Sequence, residues 1–364
     1  MTHGDEADRL VAERGDDAVE LDAGQPERHL HAFAGQSFHD RFATGHPCHR
    51  RLLGFVGFKA EAYHVRRSAV SAPLAGRFIV HYRPMPELPE VEAARRLLTR
   101  AAVGRRIVAV RCAHDPIVFQ GVSPARVRRA LLGRRVVAAR RHGKHLWLEL
   151  DRRPWPCFHF GMAGGIEVRG RRRHRLVMEG RRNHEPLWPP RFCRLHLVLD
   201  DGSEVVFRDA RRLGRVRLRH DPPAEPPISL LGFDALRELP PLRRLAALFG
   251  ERAAPVKAVL LDQSFSAGVG NWIADEVLYQ ARIDPRRRAH TLTAAEIGRL
   301  RARLRSVLTT AVRLGADGDR FPPKWLFHTR WSKRDRRPMT VRGERIRYLT
   351  VGGRTTAWVA EVQR

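Results

Sequence analysis

Cysteine is scarce in this chain: four residues, Cys48, Cys112, Cys157 and Cys193, among 364. None forms a C-x-x-C pair and none lies beyond position 193. That excludes a disulfide framework and a cysteine-built zinc site, and leaves free thiols in a reducing cytoplasm as the default. Long apolar runs are also missing. No stretch approaches the ~18 apolar residues of a membrane span, so no membrane partner is expected. Acidic residues are the third shortage, 39 against 68 Lys and Arg, for a formal net charge of +29. The shortage is uneven. Residues 1–84 hold 11 basic and 11 acidic side chains, so the whole excess of +29 falls after them. A field of that size favours a polyanion, most simply nucleic acid. A G+C-rich genome, which encodes arginine freely, is the plainer explanation of the same count.

The first 84 residues contain eight histidines and no clean helical or strand period. Seven acidic residues among the first twenty argue against an organellar transit peptide, and no signal-peptide core is present. This segment reads as an extension, either from a start codon placed upstream of Met85 or as a removable or disordered stretch. A folded regulatory domain fits it less well.

The chain beyond residue 84 is patterned. Residues 86–103 predict a helix: Pro86 and Pro89 suit its first turn, Glu87, Glu90 and Glu92 its positive end, and Gly104 its stop. Strand-like pieces at 107–110, 136–138, 146–150, 195–199 and 205–207 are separated by turn residues. The expected fold class is α+β: a leading helix plus an antiparallel β-sandwich over 85–220. A proline-rich linker at 221–232 leads to a helical domain over 233–320, with helices near 234–249, 255–262, 272–281 and 293–314. The tail, 321–364, contains a hairpin turning at Gly352-Gly353.

Five constellations carry chemistry. In Pro86-Glu87 a proline sits beside a carboxylic acid. As a terminal residue it is a secondary amine that can attack an aldehyde carbon and form an iminium; inside a chain it is an amide and inert. Read blandly, the pair is an ordinary helix start. Lys144, on a glycine turn before a strand, can point at a phosphate or stand solvated. Met162, in His159-Phe160-Gly161-Met162-Ala163-Gly164, can wedge into a base stack or fill a core. Arg211, Arg212 and Leu213 follow Asp209 and can meet a phosphate, an orphaned base edge and a base stack, or form a solvated charge run. Lys257 opens a long string, through Gly268-Val269-Gly270, to Asn271. It reads as a helix, two tight turns and a second helix capped by Asn271, whose first amides offer a phosphate site.

These motifs, in this order over 85–364, resemble the formamidopyrimidine-DNA glycosylase/endonuclease VIII family of base-excision repair enzymes. The resemblance implies an N-terminal helix and sandwich, a helix–two-turn–helix domain and a finger. It implies Pro86 as Schiff-base nucleophile, Glu87 as general acid/base and Lys144 as a phosphate-binding catalytic residue. Met162 corresponds to the void-filling residue, Arg211 to the arginine facing the widowed base, Lys257 and Asn271 to backbone binders, and Arg354 to the finger-tip arginine. It further implies a monomer without cofactor or metal that acts on double-stranded DNA containing oxidised bases or abasic sites. That enzyme would reside in the cytoplasm or nucleoid of a bacterium, or in a nucleus. The family's finger usually carries two C-x-x-C pairs; here the tail has none, so the zincless-finger branch is the match, with Trp331, Tyr348 and Trp358 as packing candidates. Leu213 stands where an aromatic is usual. Residues 315–330 are short where some relatives close a loop over 8-oxoguanine, so formamidopyrimidines and hydantoins are the expected lesions. The rival reading, a non-catalytic lesion- or abasic-site-binding protein, applies if residues 1–84 are retained.

Overall fold

The computed structural model describes residues 85–171, 187–333 and 335–364; the expectations for 1–84 fall outside them. Helix α1 (Leu88–Ala102) starts with Pro89 in its first turn. Val91, Ala94, Leu97, Leu98 and Ala102 bury one face in the sandwich core. Leu88, one turn earlier, belongs to the core of the helical half. One helix thus serves both cores.

The sandwich is built from β1 (Ile107–Cys112), helix α2 (Pro124–Leu131), β2 (Val136–His142), β3 (His145–Leu150), β4 (Trp155–His159), β5 (Gly164–Val168), β6 (Cys193–Leu199), β7 (Glu204–Asp209) and β8 (Arg215–Arg219). Two four-stranded sheets run in the orders β1-β6-β7-β5 and β2-β3-β4-β8, antiparallel throughout. Three of these strands lack the pattern of a half-buried strand. β4 holds Pro156, which is tolerated because β3 pairs only with Cys157–His159. β5 opens with two glycines, and β8 alternates arginine with apolar residues in the manner of a charge run.

After the linker, β9 (Phe233–Asp234) pairs in parallel with β10 (Ser266–Ala267). Helix α3 (Leu242–Gly250) starts eight residues later than its apolar period suggests, because Pro240 and Pro241 deny the preceding stretch helical geometry. Helices α4 (Val256–Leu261), α5 (Asn271–Ala281) and α6 (Ala294–Arg313) surround Trp272, which is fully buried. Thr293 and Glu296 cap α6 reciprocally. The finger hairpin pairs β11 (Arg347–Val351) with β12 (Arg354–Trp358). Gly352 and Gly353 both take positive φ, +57° and +69°, as a two-residue turn of this hand requires.

A buried ion network fastens the two halves together. Arg141 donates from Nε to Glu92 on α1 at 2.9 Å and from Nη1 to Asp234 on β9 at 2.5 Å. Asp234 also accepts the Gly143 amide at 2.8 Å. Burial pushes the Glu92 carboxyl up, but Arg95 and Arg141 outweigh it and hold the group at about 2. Removing one member of such a network costs about 3–5 kcal/mol, because its partner is left charged and unpaired. Among the described residues no helix is long and apolar enough to cross a membrane.

Candidate active site and nucleic-acid interface

Glu87 is 2 % exposed, and its carboxylate meets the start of α5. The Trp272 amide donates to Oε1 at 2.9 Å and the Ile273 amide to Oε2 at 3.2 Å. Glu87 therefore caps a helix far away in the sequence, where the free amides and the helix dipole favour an anion. This corrects two expectations. The residue before α5 is Gly270, not Asn271, and the amides read as a phosphate site are occupied by Glu87. Gly270 must be glycine: a Cβ there would lie 2.2 Å from Glu87 Cδ. Gly268, at φ +102°, has Leu88 in the same position. The two tight turns are thus the footprint of residues 87 and 88, and the Leu88 amide donates to the Gly268 carbonyl at 3.1 Å.

Pro86 is buried beside this carboxylate in the chain. The Glu87 amide donates to Glu90 Oε2 at 2.9 Å. Burial raises the Glu87 carboxyl above the usual range against the pull of Lys144 and two amides. Burial, and then the charge of Glu87, push Glu90 to about 8. Lys144 points into the same place. Its Nζ donates to the Val269 carbonyl at 2.9 Å, a carbonyl shared with Gln263 Nε2 at 2.8 Å. Burial lowers the Lys144 ammonium, Glu87 opposes the shift, and Arg354 adds to it. Pro86, Glu87, Lys144 and Arg354 therefore converge. The site is one buried carboxyl, one half-buried amine whose ammonium burial weakens, and an exposed cation from the finger.

The rim comes from two loops of the sandwich. Gly161, at φ +58°, approaches the Leu213 backbone so closely that a Cβ would sit 2.4 Å from its carbonyl carbon and oxygen. The Met162 loop and the 211–213 loop are thereby packed on each other. Asp209 shapes the second loop by accepting the amides of Arg211 and Gly214 at 3.0 and 2.6 Å. Arg211 and Leu213 are exposed there. Arg212 is not free: at φ +57° it donates from Nε and Nη2 to Asp115 at 2.9 and 3.1 Å. It clamps the loop while its side chain stays half exposed. His159 links rim and centre. Burial and the neighbouring Lys144 charge hold it neutral, at about 4, and its Nδ1 accepts the Gly161 amide at 3.2 Å.

Lys257 also departs from expectation. It is fully buried, with Nζ 2.6 Å from Asp275 and 2.7 Å from Thr356 Oγ1, out of reach of a phosphate. Asn271 spends its amide on the Thr355 carbonyl at 2.9 Å. Both hold the finger hairpin in place. Arg354, at the start of β12, is exposed. Of the finger's packing candidates, Tyr348 lies against a small cluster of Tyr279, Leu326, Ile346, Ala357 and Val359. Trp358 is covered by the Arg286 guanidinium at 4.3 Å from its ring centre, and Trp331 by Arg330 at 4.1 Å. Asp275, Arg330 and Asp115 were not singled out from the sequence. Their partners lie too far away along the chain to leave a local pattern.

A β-sandwich and a helical half thus meet over a proline, a carboxyl group and a lysine. Comparison with known proteins agrees. Residues 85–216 match the formamidopyrimidine-DNA glycosylase N-terminal domain, and residues 231–322 match its H2TH domain. A formamidopyrimidine-DNA glycosylase of Arabidopsis thaliana is 42 % identical over 280 residues, 77 % of this chain and 71 % of that one. The enzyme of that name from Paracoccus denitrificans is 39 % identical over 231 residues, 64 % of this chain and 79 % of its own. The MutM (Fpg) protein of Thermus thermophilus superimposes with a TM-score of 0.60 at 32 % identity, covering 76 % of this chain and 98 % of its own. A Lactococcus lactis formamidopyrimidine-DNA glycosylase, solved on DNA containing an abasic site, shares the fold at 22 % identity and a TM-score of 0.62, over 76 % of this chain and 99 % of its own. The chain belongs to the formamidopyrimidine-DNA glycosylase/endonuclease VIII family, and so is a DNA glycosylase.

Proposed function

We propose that this protein excises oxidised bases of the formamidopyrimidine type from double-stranded DNA and then cuts the abasic strand. The chemistry runs through the amine of Pro86 wherever that residue is the first of the chain. The observation that carries this reading is the convergence of Pro86, the buried Glu87 and Lys144 at the start of α5. The target atom lies inside a duplex, so the nucleotide must be turned out at a cost of a few kcal/mol of stacking. Met162 and Leu213, on their joined loops, fill the gap, and Arg211 meets the widowed base. Arg354 holds a phosphate beside the lesion.

The Pro86 nitrogen attacks C1′ of the deoxyribose, the bond from C1′ to the base breaks, and the base leaves with the proton that the secondary amine gives up. Glu87, whose carboxyl burial raises above the usual range, delivers a proton to the ring oxygen as the sugar opens to an iminium. That cation acidifies the C2′ protons. Loss of one expels the 3′ phosphate, a second elimination expels the 5′ phosphate, and water releases the amine. Lys144, with its ammonium weakened, serves as a charge near the sugar or as a proton carrier. The balance of its burial against Glu87 suits either task.

Borohydride reduces an iminium to a stable amine. A protein beginning at Pro86 should therefore be trapped covalently on an abasic duplex, and Glu87→Gln should slow base release by 10²–10⁴-fold while duplex affinity holds. Absence of any adduct with that protein would sink the Schiff-base mechanism.

A further inference from the structure

Asp275 lies one helical turn beyond the amides that Glu87 caps, and it is 1 % exposed. It gathers three groups from three parts of the chain. Lys257 of α4 stands 2.6 Å from Oδ1, Arg330 donates from Nη2 to Oδ2 at 2.6 Å, and the Ala357 amide of β12 donates to Oδ2 at 3.0 Å. Both cations are themselves buried, at 0 % and 5 % exposure. The Lys257 ammonium reaches further, to Thr356 Oγ1 at 2.7 Å. Asn271, also on α5, takes the Thr355 carbonyl. Every residue of β12 from Thr355 to Ala357 is thus bound by α4 or α5 through Asp275 or its immediate neighbours. Arg354 is the next residue, and it stands close enough to Lys144 to weaken that ammonium.

We infer that Asp275 is a positioning residue: the buried anion that docks the finger on α5 and so sets Arg354 against the site formed by Lys144 and Glu87. The physical reason is charge. Two cations buried together repel each other and lose hydration. One carboxylate neutralises part of that field, and its second oxygen still accepts a strand amide. The finger is held in register by this anion and by the small apolar cluster around Tyr279. Position is transmitted along a single helix, since α5 presents Glu87's binding amides at its first turn and Asp275 in its second. The inference rests on the reading of Arg354 as a phosphate contact only in its consequence for DNA, not in its structural claim.

The test uses three variants of the protein beginning at Pro86. Asp275→Asn keeps the shape and removes the charge. In hydrogen exchange, residues 347–358 of that variant should exchange at least tenfold faster, with the sandwich strands unchanged. The Kd for an abasic duplex should rise about tenfold, and the slope of log affinity against log salt should fall by about 0.9, the share of one phosphate. The single-turnover rate at saturating DNA should change less than threefold. If Asp275→Asn does not fold, Lys257→Met with Asp275→Leu leaves no unpaired lysine but still removes the acceptor of the Arg330 guanidinium and the Ala357 amide, and should show the same faster exchange and weaker binding. Arg354→Ala should lower the salt slope without speeding exchange. An unaltered slope in Arg354→Ala with fast exchange in Asp275→Asn would overturn the phosphate reading and leave the docking role supported. Parental exchange in residues 347–358 of either Asp275 variant would overturn the docking role itself.

Discussion

Glu87 shows how far one side chain can reach. Its carboxylate caps α5, forces glycine at position 270, and faces Lys144. Half of this was legible in the sequence. Pro86-Glu87 and Lys144 could be picked out because their chemistry sits in short motifs. The cap could not, because no local pattern ties residue 87 to residue 272. Asn271 looked like the cap since asparagine commonly is one, yet its amide holds the finger instead. Burial of two neighbouring acids has a measurable consequence. Folded Glu90 keeps its proton to about pH 8, whereas in an unfolded chain it loses it near 4.3. The folded pKa is the higher one, so the stabilisation is complete below the unfolded value and is lost as pH rises through the folded value. Thermal stability should therefore fall between pH 5 and pH 8. Glu90→Gln, which cannot ionise, should flatten that fall in part, since Glu87 and the buried Glu276, raised to about 7, also contribute to it. A variant whose melting temperature drops over that range as steeply as the parent's would contradict the assignment.

Elements were legible where period and punctuation agreed. Helices α1 and α6 and the hairpin at Gly352-Gly353 have clear stripes, caps or turns. β4, β5 and β8 did not, because proline, paired glycines and alternating arginines each mask a strand that its sheet neighbours enforce. The segment after α6 is the one read from the sequence as too short to close over 8-oxoguanine. Phe321, Trp325 and Phe327 pack on one another and around Trp272, with ring centres 4.8–5.6 Å apart. Aromatic pairs at such separations add about 0.5–1.5 kcal/mol each beyond their buried area. A stretch anchored in this way is a piece of core and has little chain left to fold over an extruded base. Formamidopyrimidine and hydantoin lesions should therefore be released at least tenfold faster than 8-oxoguanine opposite cytosine, in single-turnover assays on matched duplexes. Equal rates would show that discrimination does not depend on a closing segment.

At the scale of the molecule, charge and chemistry separate along the chain. Residues 1–84 balance 11 basic against 11 acidic residues, and all the net +29 lies beyond them. Affinity for duplex DNA is set mainly by phosphates neutralised and counterions released, so a balanced extension adds little to it. On the proposed mechanism, catalysis depends on a single nitrogen. Preceded by Met85, Pro86 is a tertiary amide without a usable lone pair; exposed as the first residue, it is an amine with a pKa near 8. The full 364-residue chain and a protein beginning at Pro86 should therefore bind an undamaged duplex with Kd values within threefold and with equal salt slopes. They should differ completely in borohydride trapping on an abasic duplex, with adduct forming only from the shorter one. The comparison separates binding from chemistry because the two proteins share every described side chain of the site. If the full chain is trapped at a comparable rate with its N-terminus verified intact by mass, the nucleophile is not Pro86. The amine of next resort is Lys144, whose ammonium burial already weakens, and Lys144→Met in the full chain would then abolish the adduct.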